Sequence, residues 1–192
     1  VTRGRPREFD EDKVLDAAMR VFWAKGYAAT SIDDILQATG LSKPSLYAAF
    51  GGKAKLYRTV LGRFVGAIAS AEIAALADPA QPPGKALAAS LKKTGQRLLR
   101  DDTPHGCMVA GSILDQAGLD SGTHDDVLAT VGAMEAAFLA RTGNRASARL
   151  AVAAIVGMGA LARIQRDPEF HHDITTALST AIAPTPKALK DS

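Results

Sequence analysis

The chain has a single cysteine, Cys107, among 192 residues. A lone thiol cannot close an intramolecular disulfide, so a disulfide-stapled fold is excluded and a reducing cytoplasm is the expected compartment. No charged start followed by an apolar stretch marks a secretory signal. The longest nearly apolar run, Leu150 to Ala162, falls short of the roughly 17 to 25 residues that cross a bilayer and reads as a buried helix. Nothing alternates with period two for long enough to make a sheet, and no internal repeat is present. His171 and His172 are adjacent, about 100° apart on a helix, without the spaced Cys, His or Asp set that a zinc or catalytic site requires. They read as surface or interface residues, and no metal, cofactor or catalytic residue is expected. Gly157 to Ala162 matches G-x-G-x-x-A, but it lies inside a helical pattern with no preceding strand. A dinucleotide site is therefore excluded, and the glycines read as points of close helix contact.

The composition, 47% hydrophobic, suffices for a sizeable core in one domain or two small ones. A net charge of +3 permits nucleic-acid binding without requiring it, so the distribution of charge matters more. Arg3, Arg5 and Arg7 stand in a polar tail ahead of the first helical pattern, as in arms that follow phosphates or enter a minor groove. Lys43, Lys53, Lys55 and Arg58 cluster further on.

Between those groups, Thr30 to Phe50 encodes two short helices separated by a tight turn. Thr30 with Asp33 resembles a capping box, and Ile32, Ile35, Leu36 and Thr39 share one face. Gly40 stops the helix, Leu41 anchors the turn and Ser42 caps the next helix. Leu46 and Phe50 hold that second helix, leaving Lys43, Ser45 and Tyr47 off its buried side, as a helix that enters a major groove requires. An earlier helix has Asp10 as its cap, Val14, Ala18, Val21 and Phe22 as its stripe, and Gly26 as its stop. Phe9 is expected to staple onto Val14.

The segment from Gly4 to about Leu61 resembles the N-terminal domain of TetR-family transcriptional regulators. The resemblance rests on AA-x-x-x-F-x-x-KGY at Ala17 to Tyr27, Thr30-Ser31, the Gly-Leu-Ser turn at Gly40 to Ser42, and Leu-Tyr-x-x-Phe-x-x-Lys at Leu46 to Lys53. It implies that Lys43, Pro44, Ser45 and Tyr47 meet DNA and that Lys53 meets phosphate at the start of the fourth helix. Thr30 and Ser31 are capping residues that can also donate to phosphate. Where the family commonly has Pro-Ser before that lysine, this chain has Gly51-Gly52, which removes side-chain capping but keeps backbone donors.

The rest of the chain continues as helices. Leu56, Val60, Phe64 and Ile68 predict one long helix ending before Asp78-Pro79, followed by a proline-rich connection to a helix over Lys85 to Arg100. A short helix over Gly106 to Ala117, a loop over Gly118 to Gly122, and a helix opened by Thr123 with Asp126 come next. Helices over Ala146 to Arg166 and from Pro168 to Ala183 complete an all-α fold of about nine helices. The expected division is a helix-turn-helix domain over 1–52 and an effector-binding and dimerisation domain over 53–192.

By the same resemblance, the chain is a one-component regulator, usually a repressor, that binds a palindromic operator as a homodimer and responds to a small molecule. The effector cavity is expected among Phe64, Leu98, Cys107, Met108, Ile113, Met134, Phe138 and Met158. The dimer interface is expected at Leu150, Ile155, Leu161, Phe170, Ile174, Leu178 and Ile182. Two alternatives stand beside this reading: a helical binding protein or enzyme without specific DNA affinity, and a DNA-binding regulator that responds to oxidation at Cys107.

Overall fold

The computed structural model describes residues 9–69, 76 and 80–182. Among them are nine α-helices and no strand, so the all-α expectation holds. Four helices open the chain: α1 (Glu11–Lys25), α2 (Ile32–Thr39), α3 (Lys43–Phe50) and α4 (Lys53–Phe64). Five more follow: α5 (Pro83–Leu98), α6 (Met108–Leu114), α7 (Ser121–Thr142), α8 (Arg145–Leu161) and α9 (Pro168–Ala181). Arg3, Arg5 and Arg7 lie outside the described residues.

Local chemistry sets most helix ends. The Asp10 carboxylate accepts from the Lys13 N–H and Asn144 from that of Ser147, while Gly143 closes α7 in the left-handed conformation. Several ends differ from the sequence pattern. The predicted long fourth helix stays α only to Phe64 and then widens into a π-turn over Val65–Ala69; its expected continuation falls mostly on residues outside those described. Helix α7 starts early because Asp120, not Thr123, is its cap, accepting from the Thr123 N–H at 2.7 Å. Helix α8 ends at Leu161, short of Arg166. Phe9 also faces the Phe50 ring of α3, at 6.3 Å.

Two apolar clusters form the interior. The first joins Phe22 and Trp23 of α1, Ile35, Leu46, and five α4 side chains, all at most 3% exposed. Trp23 meets Phe64 edge-on at 4.9 Å, and Phe22 meets Tyr57 at the same distance. Burying each such side chain contributes roughly 1.5–3 kcal/mol. Met108, Val109 and Val127 complete this cluster from α6 and α7, so the N-terminal helices rest directly on the remainder. The second cluster holds Leu87, Leu91 and Leu98 of α5 with Phe138, Ile155, Met158, Leu178 and Ile182.

Polar contacts clamp the two parts together. Trp23 donates its indole N–H to the Gly106 carbonyl at 3.2 Å, and Arg163 donates to the Ala24 carbonyl at 3.1 Å. Because the Ser112 hydroxyl donates to the Met108 carbonyl, the buried Tyr57 hydroxyl donates to Ser112, at 2.7 Å. Burial pushes the Tyr57 phenol above its ordinary value, which keeps it protonated for that bond. Gly159 permits the close contact expected of it: a Cβ there would lie 2.8 Å from that of Cys107, whose N–H donates to the Gly159 carbonyl. Gly157 has open space instead.

Candidate nucleic-acid interface

The α2–turn–α3 unit is held by bonds that leave one side of α3 free. Ser31 and Asp34 form a capping box: the Ser31 hydroxyl accepts from the Asp34 N–H at 3.0 Å, and the Asp34 carboxylate from the Ser31 N–H at 2.9 Å. Lys25 reaches the same carboxylate at 2.6 Å, and this bond, with those from Ser31, holds the Asp34 carboxyl down at about 2. The cap thus falls one residue later than the Thr30–Asp33 pair predicted from sequence. The Thr30 hydroxyl instead donates to the Gly26 carbonyl at 2.6 Å, and the residue is 1% exposed. It supports the turn from inside and offers no hydroxyl to a phosphate, which corrects its expected contact role. Ser31 remains exposed at the helix N-terminus.

Gly40 takes the left-handed conformation that ends α2, and Ser42 caps α3, accepting from the Ser45 N–H. Leu46 fills the core with no exposure. Its burial orients the rest of the short helix: Lys43 and Pro44 are exposed, Tyr47 is 47% exposed, and Ser45 is half-buried with its hydroxyl 2.8 Å from that of Ser42. Lys43 and Tyr47 stand one turn apart on the same face.

Behind α3, the Tyr47 ring lies over the start of α4. Gly52 has φ 107°, and a Cβ there would come within 3.0 Å of the ring, so only glycine fits this corner. No side chain caps α4, which leaves its first N–H groups available to an anion. Lys53, at the first position of α4, sets its ammonium 4.3 Å from the centre of the Tyr27 ring. That contact holds the lysine against the Tyr27 ring at the start of α4.

Charge follows the same division. Residues 35–71 contain no Asp or Glu, whereas they include Lys43, Lys53, Lys55, Arg58 and Arg63. Arg63 pairs with Asp12 and Asp16, and Arg58 pairs with Asp126 of α7 at 2.7 Å, so both arginines are engaged within the fold. Asp126 raises the Arg58 guanidinium above its ordinary value. No described carboxylate pairs with Lys43, Lys53 or Lys55. Sequence reasoning missed the roles of two aspartates far along the chain: Asp115, in a segment read as ordinary helix, accepts from the Tyr27 N–H before α2, and Asp126, read as the partner of Thr123 at a helix start, pairs with Arg58 of α4.

The expected effector residues are divided by the fold. Phe64, Cys107 and Met134 line a cavity of about 20 Å³ together with Ile68, Arg97 and Val156, room for about one water. Leu98, Met108, Phe138 and Met158 are at most 3% exposed and belong to the two clusters, while Ile113 is half-buried against the first. The expected dimer stripe is also divided. Leu178 and Ile182 are 5% and 1% exposed and Ile155 is 7% exposed, all within the protomer's own second cluster. These three are corrected: the i, i+4 repeat at the end of α9 marks its inward face. Leu150 is exposed, and Leu161, Phe170 and Ile174 are half-buried. His171 is a further correction, being buried rather than at the surface; His172 is exposed. Among the described residues no helix is long and apolar enough to cross a membrane, and no three His, Cys, Asp or Glu side chains gather as metal ligands.

The comparisons with known proteins agree with this geometry. A sequence profile for bacterial regulatory proteins, tetR family, matches residues 14–60. The HTH-type transcriptional repressor ComR of Escherichia coli K12 is 37% identical over 134 residues, covering 70% of this chain and 63% of ComR. BdcR, an HTH-type transcriptional repressor of the same organism, is 40% identical over 112 residues, covering 57% of this chain and 55% of BdcR. The chain thus aligns with a little over half the length of these relatives. A structure of a cysteine-substituted TetR-family regulator CifR with 26-base-pair operator DNA superposes with a TM-score of 0.79 at 27% identity, covering 92% of this chain and 99% of that one. With the helix-turn-helix, its caps and the all-α body in place, residues 14–60 carry the domain of the tetR family of bacterial regulatory proteins, on a chain with the fold of a TetR-family regulator.

Proposed function

We propose that the chain is a cytoplasmic, homodimeric transcriptional repressor, not an enzyme, which binds a palindromic operator and loses affinity when a small molecule enters residues 53–192. The observation that carries this reading is the free face of α3: Lys43, Pro44 and Tyr47 exposed, Lys53 alongside, and no carboxylate across residues 35–71. Lys43 reads a base edge, while Ser31, Ser45, Tyr47, Lys53 and the α4 N-terminus hold phosphate, with Arg3, Arg5 and Arg7 as an arm. Two such helices in a dimer reach successive major grooves, roughly 34 to 36 Å apart.

Effector control runs through α4. Its end, at Phe64, borders both the first cluster and the small cavity, so a ligand that opens the cavity pushes against the helix that carries Lys53. The ligand acts only by favouring the displaced state over the DNA-bound one. Genomic footprinting with the purified chain, then ligand screening on the recovered site, tests the proposal. The expected result is a two-fold symmetric protected site released by a ligand; protection nowhere above non-specific levels would overturn it.

A second reading of the signal rests on Cys107, which packs against both clusters and lines the cavity. Alkylation or oxidation there would wedge the two parts of the protein apart. Release of DNA by an electrophile in the parent but not in Cys107→Ser is the expected result for that reading, and equal release in both would reject it.

A further inference from the structure

A groove of about 370 Å³ runs between α5 and α9, on a different set of residues from the small cavity beside Phe64. Lys92 and Gln96 line it from α5 and Leu99 from just past its end, and Pro168, His171 and His172 from α9. A second hollow of about 160 Å³ shares Lys92, His172 and Thr175 and continues along the same two helices as far as Ser179. The larger volume is in the range of small-molecule sites.

His171 gives the groove its chemistry. The residue is 2% exposed, and its Nδ1 lies 3.0 Å from the Asp167 carbonyl oxygen. A carbonyl only accepts, so Nδ1 carries a hydrogen and Nε2 is left with either a lone pair or a second N–H. Nε2 is buried and has no hydrogen-bond partner among the described residues. Leaving such a group unpaired is costly, which makes it a favourable anchor for a ligand atom that completes it. Lys92 from α5 is the lysine among the residues that line the groove, no carboxylate lines it, Asp167, Glu169 and Asp173 flank the two histidines on α9 without lining it, and α8, which also packs on α9, contributes no lining residue. Leu99 and Pro168 provide apolar walls too extensive for an inorganic ion to cover.

We infer that the α5–α9 groove binds a small organic carboxylate, its acid group between Lys92 and His171 and its apolar body against Leu99 and Pro168. A bare Nε2 and a carboxylate oxygen would repel each other, so one proton must lie between them; when the ring starts neutral, the complex takes that proton from solvent. Charge-assisted bonds of this kind are stronger than neutral ones. The site is independent of the DNA-binding reading, and its test involves no DNA.

Benzoate, with a carboxylate on an apolar ring, is the probe; benzamide keeps the ring without the charge, and inorganic phosphate keeps charge without the ring. Calorimetric titration of the full chain is run with each, in two buffers of different ionisation enthalpy, alongside NMR of the histidine ring protons. The expected result is saturable benzoate binding with proton uptake and a shifted His171 signal, and benzamide and phosphate each weaker by about tenfold or more. Lys92→Met, at an exposed position that leaves the core untouched, lowers benzoate affinity by a similar factor, and His171→Gln abolishes proton uptake. Benzamide binding as tightly as benzoate, benzoate binding that Lys92→Met leaves unchanged, or no saturable benzoate binding would overturn the proposal.

Discussion

The carboxylate of Asp115 accepts a hydrogen bond from the backbone N–H of Tyr27 at 2.8 Å, across 88 residues of sequence. The same oxygen accepts from the Ala28 N–H at 3.3 Å. The residue just beyond α6 therefore braces the turn that leads into the Ser31 cap of α2. Gly26 makes this approach possible: it has φ 83°, and a Cβ there would lie 2.7 Å from the same oxygen. The brace ties the end of α6 to the turn that precedes α2 and α3.

Asp115→Ala is expected to leave the Tyr27 and Ala28 amides without an acceptor and to destabilise the chain by about 1–3 kcal/mol. Hydrogen exchange at those two amides should accelerate, and operator affinity should fall. Asp115→Asn, which keeps a carbonyl acceptor, should recover most of the protection. Unchanged exchange in Asp115→Ala would show that the turn holds its shape unaided.

The Asp34 carboxyl titrates at about 2 against an ordinary 3.8, because Lys25 and Ser31 bond its ionised form. A depressed folded-state value means that this contribution is fully present above 3.8 and is lost as pH falls from there through about 2. Asp34→Asn should therefore flatten the acid limb of thermal stability in that window and leave its slope near neutral pH unchanged. Melting curves by circular dichroism across the window measure it; an acid limb identical to the parent's would assign the loss to other carboxylates.

On the proposed DNA face, Lys53→Ala should weaken operator binding and reduce the dependence of log affinity on log salt by about 0.9. Tyr47→Ala should weaken binding further, because it removes both a phenol from the exposed face and the ring that packs on Gly52. Lys43→Ala should instead change base preference. Gel-shift titrations at several salt concentrations, with binding-site selection for Lys43→Ala, separate these effects. An unchanged salt slope in Lys53→Ala would remove it from the phosphate contacts.

The proposed dimer face lies on the outside of α8 and α9, where Leu150 is 50% exposed and Ile164, just past α8, is 84% exposed. Leu161, Phe170 and Ile174 are half-buried and complete the expected surface. Leu150→Glu with Ile164→Glu should give a folded monomer with weakened operator binding, since a charge buried in an apolar contact opposes association. Sedimentation velocity on the folded variant decides the matter, and a variant that remains dimeric would place the interface elsewhere. Leu178 and Ile182 are unsuitable for this test because their substitution would break the protomer's own core.

Short-range chemistry made much of this protein legible from sequence alone. Asp10, Ser42, Gly26 and Gly40 act within a few residues of themselves, so the helix ends they set and the α2–turn–α3 unit could be read directly. The periodic Leu56, Val60 and Phe64 likewise announced a buried face, because helical spacing depends on no distant partner. The choice between Thr30 and Ser31 as cap was narrower, and it turned on whether the Thr30 hydroxyl had an inward acceptor at Gly26. Tertiary structure alone decided what each apolar face meets. The stripe ending in Leu178 and Ile182 could equally have faced another copy or α5 and α8, and periodicity is the same in both cases. The brace from Asp115 to Tyr27, the Arg58–Asp126 pair and the burial of His171 arise from residues distant in sequence, brought together only when the helices pack.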